Sequence, residues 1–426
     1  MHPYLQKLKK EDAPLLFDEG RSALLETLPL LGRLEATEQD PLWHAEGDVA
    51  IHTRMVLEEL EAALARGEHY LDARERFLVR VATLLHDIAK PVTTTRRIKE
   101  GKERVVAPRH AERGASYLAY RGLDLGLPRE DLFEIMGLVR HHHDPKFLII
   151  KDRPARAYWK LARGAGARAL HALEMADMRG RVCEDRQEQI DFIELFALGA
   201  KEAGTWSGAL PQREFLARTR DLVLEAGMDE DRAERAIMEG LWALEAGEIF
   251  TPEEAMARSY SLNERFCQVV MTMGPSGCGK STWVKQHLPE HGVIALDGLR
   301  EELTGEASDQ SKNLEIAHLA RERLKEHLRR EEDVVWDATN LRREFRAPIT
   351  GISRDYKAHV TLVLFHMSPS VFFERNRSRS RKVPAAILER QLDGLNWPEL
   401  GEAHRLIVVD EQGRVVSDSR NLWLEA

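Results

Sequence analysis

The chain has 426 residues, of which 43% are hydrophobic and 31% are charged, a composition typical of a globular protein with two or three domains. Its formal net charge of −9 excludes a globally basic nucleic-acid-binding protein, so any polyanion site must be local. No apolar run approaches the ~20 residues that cross a bilayer, and no signal-peptide pattern opens the sequence. The three widely spaced cysteines form no metal or disulfide pattern, so we expect a cytoplasmic protein without a membrane partner.

Residues 12–250 have a helical pattern along almost their whole length. Residues 185–258 are helical by the same pattern but contain no chemical motif, so they either complete the first domain or form a connector. Thr251 before Pro252 predicts the start of a helix within this segment. Apolar residues recur at three- and four-residue spacing at Leu57, Leu60 and Leu64, and again at Leu78, Val81 and Leu85.

Histidines and aspartates recur beside these apolar helical segments. The pair His86-Asp87 stands near the end of a helix predicted over 78–91, and Lys90 follows it. A single histidine on a helix is usually only a hydrogen-bonded polar residue, and chance pairs also occur, so the inference depends on the whole set. His143 and Asp144 are weaker candidates, because three consecutive histidines cannot share one helix face. The other candidate ligands are His52, His110, His141, His142 and Asp177.

The chemistry of this set indicates a metal site. Neutral imidazole and carboxylate ligands suit Mn, Fe, Co, Ni or Zn rather than Ca. A divalent transition metal held in this way lowers the pKa of bound water and binds a phosphate group. The first half of the chain is therefore predicted to be a helical metal-dependent hydrolase domain.

From about residue 266 the pattern changes to an alternation of strands and helices. This alternation predicts an α/β domain with a parallel sheet covered by helices on both faces. The predicted strands are 268–273, 292–296, 333–337, 359–366 and 405–410, and the predicted helices are 281–288, 312–331, 343–354 and 369–393.

The first of these strands leads into a phosphate-binding loop. The spacing Gly274-x-x-x-x-Gly279-Lys280-Ser281 lies between an apolar strand and a helix, which is the context that such a loop requires. Backbone N–H groups wrap the β-phosphate, the lysine reaches the β- and γ-phosphates, and the serine is placed to ligate Mg²⁺. The predicted nucleotide-binding residues are Gly274, Ser276, Gly277, Cys278, Gly279, Lys280, Ser281 and Thr282.

Asp297 follows the second strand, where ligands bind in an open α/β sheet. A carboxylate there can accept the proton of an attacking hydroxyl, and Arg300, one turn later, can hold an anionic group of the acceptor. Alternatively, Asp297 caps a helix and Arg300 is a surface charge. A basic run at 375–382 follows a later helix, at the place of a lid over the triphosphate, although such runs are more often solvated faces.

The motifs GPSGCGKST, DGLR, DATN and ERNRSRSRKVP together resemble the bacterial polynucleotide 5′-kinase family, over about 160 residues. The resemblance implies transfer of the γ-phosphate of ATP or another NTP to a 5′-OH end, with Mg as cofactor. It implies that Asp297 is the general base and that Arg300 binds the phosphate next to the acceptor nucleoside. Arg375 and Arg379 become the best lid arginines, with Arg381 behind them.

The N-terminal set resembles the HD phosphohydrolase superfamily. His52, His86, Asp87 and Asp177 match its core metal ligands, and His110 with His141 or His142 match the additional ligands of binuclear members. Lys90 matches a lysine that holds a substrate phosphate in many members. Asp48, one turn before His52, could add a ligand or an outer hydrogen-bond acceptor.

The order of the two domains resembles the bacterial bifunctional end-healing enzymes, with an HD domain at 1–258 and a P-loop kinase domain at 259–426. The resemblance implies metal-activated removal of 2′,3′-cyclic phosphate and 3′-phosphate ends of RNA or DNA, and phosphorylation of 5′-OH ends, before a separate ligase acts. Two alternatives stay open. One is a nucleoside or metabolite kinase fused to a nucleotide phosphohydrolase, and the other is a nucleotide-binding signalling switch.

Overall fold

The structure is a computed structural model, and it describes residues 1–68, 71–99, 101–208, 210–260, 266–305, 312–379 and 382–420. Backbone contacts divide the chain into two compact units, Met1–Pro211 and Gln212–Ala426. The helices between residues 212 and 258 thus lie in the second unit, whereas the sequence places the domain boundary at 258. Among the helices of the described ranges, none combines the length and apolarity of a membrane span.

The first unit is helical except for one hairpin, β1 (Thr95–Lys99) and β2 (Lys102–Val106). Two short 3₁₀ segments, Pro29–Ala36 and Gly122–Leu125, connect its helices. The helices are α1 (Pro3–Glu11), α2 (Phe17–Leu24), α3 (Val49–Ala65), α4 (Ala73–Leu85), α5 (Lys90–Thr93), α6 (His110–Arg121), α7 (Arg129–His141), α8 (Asp144–Ile150), α9 (Ala155–Ala162), α10 (Ala167–Arg179) and α11 (Arg186–Glu202).

Helices α3, α4 and α10 pack against one another and form the centre of this unit. Asp48 caps the start of α3, and Asp72 forms a capping box with Glu75 at the start of α4. The second half of α4 is buried on all sides, and so is most of α10, because neighbouring helices surround them. The apolar periodicity of the sequence therefore predicts the centre of the unit correctly.

The hairpin β1–β2 is not predicted by the helical reading of residues 12–250. Its strands, TRRIK and KERVV, show no regular alternation of apolar and polar residues, and Gly101 at the turn has a φ of 74°. Both strands lie at the surface, so no buried apolar stripe distinguishes them from a polar helix or a loop. The prediction that residues 12–250 are helical along almost their whole length is confirmed, and the hairpin is a short exception to it.

The second unit combines three N-terminal helices with a six-stranded α/β domain. The helices are α12 (Gln212–Glu225), α13 (Glu230–Ala246), α14 (Pro252–Ser259), α15 (Lys280–His287), α16 (Leu296–Thr304), α17 (Asn313–Arg329), α18 (Arg343–Asp355), α19 (Pro369–Ser378) and α20 (Ala385–Asp393). The strands are β3 (Gln268–Met273), β4 (Gly292–Ala295), β5 (Val334–Asp337), β6 (His359–Phe365), β7 (Arg405–Val409) and β8 (Val415–Asp418).

The sheet has the order β4-β5-β3-β6-β7-β8, in which the first five strands are parallel and β8 is antiparallel to β7. All five predicted strands are confirmed to within about one residue at each end. Strand β8 and helix α16 were not predicted. The helix predicted over 369–393 is two helices, because Pro384 caps the second one and prevents a continuous helix.

Helix α13 packs against the sheet domain through polar contacts that explain its place in the second unit. The guanidinium of Arg235 donates to the backbone oxygen of Lys357, and His404 lies 3.2 Å from the carboxylate of Glu239. The guanidinium of Arg354, in the sheet domain, lies over the Trp242 ring at 3.8 Å from its centre. These contacts attach the helices before residue 260 to the α/β core, so residues 212–259 do not complete the first unit.

Candidate functional site

Five helices of the first unit bring histidines and aspartates to one buried place, which we call the His–Asp cluster. The residues lie in α3 and α10, just after α4 and α7, and at the start of α6. Because helix ends and interior faces supply them from distant parts of the sequence, packing of the core assembles the cluster. Its members are His52, His86, Asp87, His110, His142, His143 and Asp177.

Asp87 and Asp177 hold the centre of the cluster. The Nε2 atom of His52 lies 2.9 Å from Oδ1 of Asp177 and 3.7 Å from Oδ2 of Asp87. Asp87 also lies 3.3 Å from Nε2 of His86 and 3.2 Å from Nε2 of His110. One carboxylate thus faces three imidazoles, which is the arrangement expected of a bridging metal ligand.

A second group of imidazoles surrounds His110. Its Nε2 atom lies 3.4 Å from Nε2 of His142 and 3.2 Å from Nε2 of His143. The three ligand atoms lie close enough for one ion to reach all of them. Together with the His52, His86 and Asp177 group, this makes two adjacent donor sets, which fits a binuclear site.

The Nδ1 atoms of three cluster histidines are bound by backbone oxygens, which aims Nε2 at the centre. His86, His110 and His142 each place Nδ1 at 2.7–2.8 Å from the backbone oxygen of the residue three positions earlier. Nδ1–H donates to that carbonyl, so the Nε2 lone pair is free for a metal. His52 instead faces the carboxylate of Glu46 at 2.9 Å. Sequence reasoning missed Glu46, since only the fold brings it beside His52.

The unpaired polar atoms of the cluster fit a divalent cation. Nε2 of His52, Nε2 of His86 and Oδ1 of Asp87 are buried and make no hydrogen bond with any described residue. Their short mutual distances are therefore not hydrogen bonds, and buried polar atoms without partners are costly. A cation would satisfy all three, and the imidazole and carboxylate donors suit Mn, Fe, Co, Ni or Zn.

The protonation states also suit metal binding. Burial lowers the pKa of His142 and His143 well below the ordinary value and lowers that of His110 to about 4, so these imidazoles are neutral near pH 7. Burial alone would raise the pKa of Asp87, but Lys90 beside it holds that pKa well below its ordinary range. The carboxylate is therefore ionised and ready to bind a cation.

Two sequence-based candidates lie outside the cluster. His141 places Nδ1 at 2.6 Å from the carboxylate of Asp144, and its Nε2 faces Gly164 rather than the cluster. Helix α7 ends at His141, so the two residues after it no longer follow the helix. His143 therefore reaches His110 and takes the position in the cluster that was expected of His141. Asp48 accepts a hydrogen bond from the backbone N–H of Ile51 and caps α3, so its role in the structure is that of a helix cap.

These positions predict different effects for two neighbouring histidines. We expect His143→Ala to weaken metal affinity by about tenfold or more, because it removes a donor that faces His110. His141→Ala is the matched control, and we expect no loss of metal. Metal content after dialysis, measured by elemental analysis, checks both variants. Equal metal loss from the two variants would contradict the assignment.

A cavity of about 490 Å³ opens beside the His–Asp cluster. Lys90, Lys146 and Arg181 line it, which places positive charge beside the candidate metal ligands. Lys90 lies 2.7 Å from Asp87, and Arg181 donates to Asp177 at 2.6 and 2.7 Å. The cavity therefore combines metal donors with cations, a surface suited to a phosphate ester.

The phosphate-binding loop of the second unit follows β3. Gly277 and Gly279 have φ values of 90° and 100°, which only glycine adopts without strain. A Cβ atom on Gly274 would lie 2.7 Å from Sγ of Cys278, so the loop also needs glycine there for space. Lys280 donates to the backbone oxygens of Gly274 and Pro275 at 2.9 and 2.8 Å, inside the loop.

Ser281 donates from Oγ to Oδ2 of Asp337 at 2.6 Å. Asp337 ends β5, the neighbour of β3, so the parallel order of the sheet places it beside the loop. A serine and an aspartate in this arrangement are the protein ligands of Mg²⁺ in P-loop enzymes. Sequence reasoning placed Asp337 at a strand end but did not include it in the site. The apolar run before it, VVWD, is the pattern that could have identified it.

Other contacts brace the loop. Asn340 is buried and donates to the backbone oxygen of Thr272, so it supports the end of β3 and lies before the next helix. That helix, α18, begins at Arg343. Gln391 of α20 accepts from the backbone N–H of Ser276 and donates to its hydroxyl, at 2.8 and 3.0 Å. Thr282 lies in the first turn of α15.

Two predicted lid arginines lie against the loop. Arg375 in α19 donates to the backbone oxygen of Cys278 at 3.4 Å. A guanidinium nitrogen of Arg379 lies 3.9 Å from the position of a Cβ atom on Gly277. The structure thus brings both side chains beside the loop, and Arg381 lies outside the described residues.

Asp297 and Arg300 form a pair in α16. Oδ1 of Asp297 accepts from the Arg300 guanidinium at 2.5 Å, and 76% of the Asp297 side chain is exposed. Asp297 lies in the first turn of the helix and Ala295 is its N-cap, so the capping alternative does not hold. The order β4-β5-β3 places Asp297 on the same sheet edge as the loop, with β5 between them. Arg300 also donates to Asn313 at 3.3 Å.

Comparisons with known proteins find a matching family model in each half of the chain. A family model described as HD domain matches residues 49–175, and one described as AAA domain matches residues 269–398. The first match includes every residue of the His–Asp cluster except Asp177, which lies two residues beyond it. The second match includes the phosphate-binding loop, Asp297 and the lid arginines. No curated protein matches the chain.

Several solved structures are similar to part of the chain. A gluconokinase from Sinorhizobium meliloti 1021 is 24% identical, covers 34% of this chain and 83% of its own, and has a TM-score of 0.25. A sugar kinase from Janibacter sp. HTCC2649 is 19% identical over 37% of this chain and 91% of its own, with a TM-score of 0.28. A structure of the PezAT chromosomal toxin–antitoxin system of Streptococcus pneumoniae is 16% identical over 39% and 80%, with a TM-score of 0.30.

Geometry and family matches agree on the kind of domain in each half. The matched ranges lie in different compact units, and each contains a site suited to phosphate chemistry. The chain therefore carries a helical HD domain, followed by a P-loop kinase-like α/β domain.

Proposed function

We propose that this chain is a bifunctional nucleic-acid end-healing enzyme. Its HD domain removes 2′,3′-cyclic phosphate and 3′-phosphate ends, and its P-loop domain transfers the γ-phosphate of an NTP to a 5′-OH end. The observation that carries the proposal is the presence, in one chain, of a His–Asp cluster in an HD domain and a phosphate-binding loop in a kinase-like domain. Strand breaks with a 2′,3′-cyclic phosphate and a 5′-OH need both reactions before a ligase can join them.

In the HD domain, the His–Asp cluster would hold one or two divalent transition ions, which supply an activated water molecule and positive charge at the phosphate. Lys90 and Arg181 line the cavity and are placed to pair with oxygens of the terminal phosphate. The first hydrolysis adds water across one P–O bond of the cyclic phosphate. The second releases inorganic phosphate and leaves a 3′-OH.

In the kinase domain, Lys280 exchanges its loop carbonyl partners for phosphate oxygens when the triphosphate binds. Ser281 and Asp337 would hold Mg²⁺, which neutralises charge on the β- and γ-phosphates. Asp297 accepts the proton of the 5′-OH. At the same time the 5′ oxygen bonds to the γ-phosphorus and the NDP leaves. Arg375 and Arg379 stabilise the charge of the transferring group.

Arg300 is the proposed link to a polynucleotide acceptor. Its guanidinium lies beside the exposed carboxylate of Asp297. A phosphate next to the terminal nucleoside can therefore bind Arg300 while the 5′-OH faces Asp297, the general base. A free nucleoside has no such phosphate. This difference supports an oligonucleotide rather than a nucleoside acceptor.

An assay of both ends tests the proposal. We expect the protein with Mg²⁺ and labelled NTP to phosphorylate 5′-OH oligonucleotides of RNA or DNA and to leave nucleosides and gluconate unlabelled. With Mn²⁺, Ni²⁺ or Co²⁺ it should convert cyclic-phosphate RNA ends to 3′-OH. Labelling of small molecules alone would favour the metabolite-kinase alternative, and triphosphate binding without transfer would favour the switch.

A further inference from the structure

The hairpin β1–β2 carries an unusual distribution of charge. Between residues 95 and 106 the sequence has five cations and two acids. Directly opposite residues of an antiparallel pair share one face of the hairpin. The register pairs Arg97 with Arg104 and Lys99 with Lys102, so the paired residues of one face include four cations and no acid. We call this face, defined by Arg97, Lys99, Lys102 and Arg104, the basic face.

The opposite face is different. It pairs Arg96 with Val105 and Ile98 with Glu103. Arg96 binds Glu103 at 2.9 Å and Glu38 at 2.6 Å, so its charge is balanced. The asymmetry shows that the cations are not spread evenly over a solvated hairpin.

The basic face is unfavourable without an anion. Like charges directly opposite on neighbouring strands destabilise a hairpin, and two such pairs lie next to each other here. Arg104 binds Asp40 at 3.0 Å, whereas Arg97, Lys99 and Lys102 form no ion pair with any described residue. A polyanion laid along this face would relieve the repulsion that the pairs create.

The hairpin is attached to the wall of the HD cavity by Glu38 and Asp40, and Gln39 between them contacts Lys90. Glu38 binds Arg96, and Asp40 binds Arg104 and accepts from the backbone N–H of Val105 at 3.2 Å. Gln39 accepts from Lys90 at 2.6 Å, within the cavity. The same segment therefore holds the hairpin and the candidate phosphate-binding lysine in a fixed relation.

The basic face continues into the cavity. Lys99 and Val106, which belong to that face, line the cavity together with His110 and Lys90. Cations two residues apart on one strand lie about 7 Å apart, so the four charges extend over a row too long for a single phosphate. Lys99 is the member of this row that lines the cavity, together with the candidate metal donors His110 and His143.

We infer that the basic face binds the phosphodiester backbone of a single-stranded RNA or DNA segment whose 3′ end lies in the HD cavity. The inference rests on the proposed function and adds the element that distinguishes a polynucleotide from a mononucleotide. Arg97, Lys99 and Lys102 contact phosphates upstream of the terminal one. Because they contact no base, binding is independent of sequence.

The test compares two triple variants that each remove three exposed positive charges. Arg97→Ala/Lys99→Ala/Lys102→Ala removes the basic face, and Lys7→Ala/Lys10→Ala/Lys160→Ala is the matched control away from the cavity. Substrates are a 12-nucleotide RNA, a 12-nucleotide DNA and a mononucleotide, each with a 3′-phosphate. Hydrolysis is measured between 50 and 200 mM salt.

We expect the basic-face variant to raise KM for the oligonucleotides about tenfold and to lower the salt slope of log(kcat/KM) by about 2, at about 0.7 per lost phosphate contact. KM for the mononucleotide, 5′-kinase activity and the control variant should match the wild type. Unchanged oligonucleotide KM and salt slope would overturn the inference while the proposed function stands. If the wild-type protein hydrolyses the mononucleotide but neither oligonucleotide, the proposed function itself is overturned.

Discussion

Replacing Asp297 with alanine is expected to lower the rate of 5′-phosphorylation by about 10²- to 10⁴-fold, the usual contribution of a general base. Triphosphate binding should not change, because the loop residues that bind it follow β3 and Asp297 follows β4. The measurement is single-turnover transfer from labelled NTP to a 5′-OH oligonucleotide, with NTP affinity determined separately. The effect should appear in kcat rather than in the KM for NTP.

The physical reason is the exposure and position of this carboxylate. It lies on the sheet edge that carries the loop and Asp337, and 76% of the side chain is open to an acceptor. Its bond to Arg300 orients the carboxylate, so it can take a proton as the 5′ oxygen attacks. Asp297→Asn should be as inactive as the alanine variant, because the amide keeps the size but cannot accept the proton.

Glu301→Ala provides a matched control, since Glu301 is an exposed carboxylate one turn later in α16. This variant should transfer phosphate at the wild-type rate. The HD activity of all three variants should also be unchanged, which reports that the protein is folded. Full kinase activity of Asp297→Ala would exclude the general-base role and leave Asp297 as a surface residue.

The α/β half could be predicted closely because its signals are local. Each strand is a short apolar run, and the loop motif fixes which strand carries the phosphates. Asp337 was missed for the opposite reason: its role depends on the order of strands in the sheet, which places β5 next to β3. Neither the order nor the 2.6 Å contact with Ser281 is visible in the sequence alone.

The HD half shows the same limit. Its ligand types were predictable from the set of histidines and aspartates, but the choice among His141, His142 and His143 was not. That choice depends on where α7 ends, since a shift of one residue at a helix end turns a side chain by about 100°. Glu46 could not be predicted because it acts through a contact with His52 in the folded chain. The hairpin was missed because both of its strands are exposed.

Replacing Asp87 with alanine is expected to abolish the 3′-end phosphatase, with a loss greater than about 100-fold, and to leave 5′-kinase activity intact. Asp87 faces the Nε2 atoms of His52, His86 and His110 at 3.7, 3.3 and 3.2 Å, so its loss removes the carboxylate shared by both donor sets. Loss of an outer partner of a metal ligand already costs about 10- to 100-fold in affinity or activity. Loss of the shared ligand should cost more.

Asp144→Ala is the matched control, because Asp144 lies near the cluster in sequence but pairs with His141 outside it. The two variants are compared by metal content, hydrolysis of a 3′-phosphate oligonucleotide and 5′-kinase rate. We expect metal and hydrolysis to be lost only in Asp87→Ala. The two sites lie in separate compact units, so loss of kinase activity together with hydrolysis would argue against two independent reactions. Retention of metal and hydrolysis in Asp87→Ala would exclude the His–Asp cluster as the hydrolytic site.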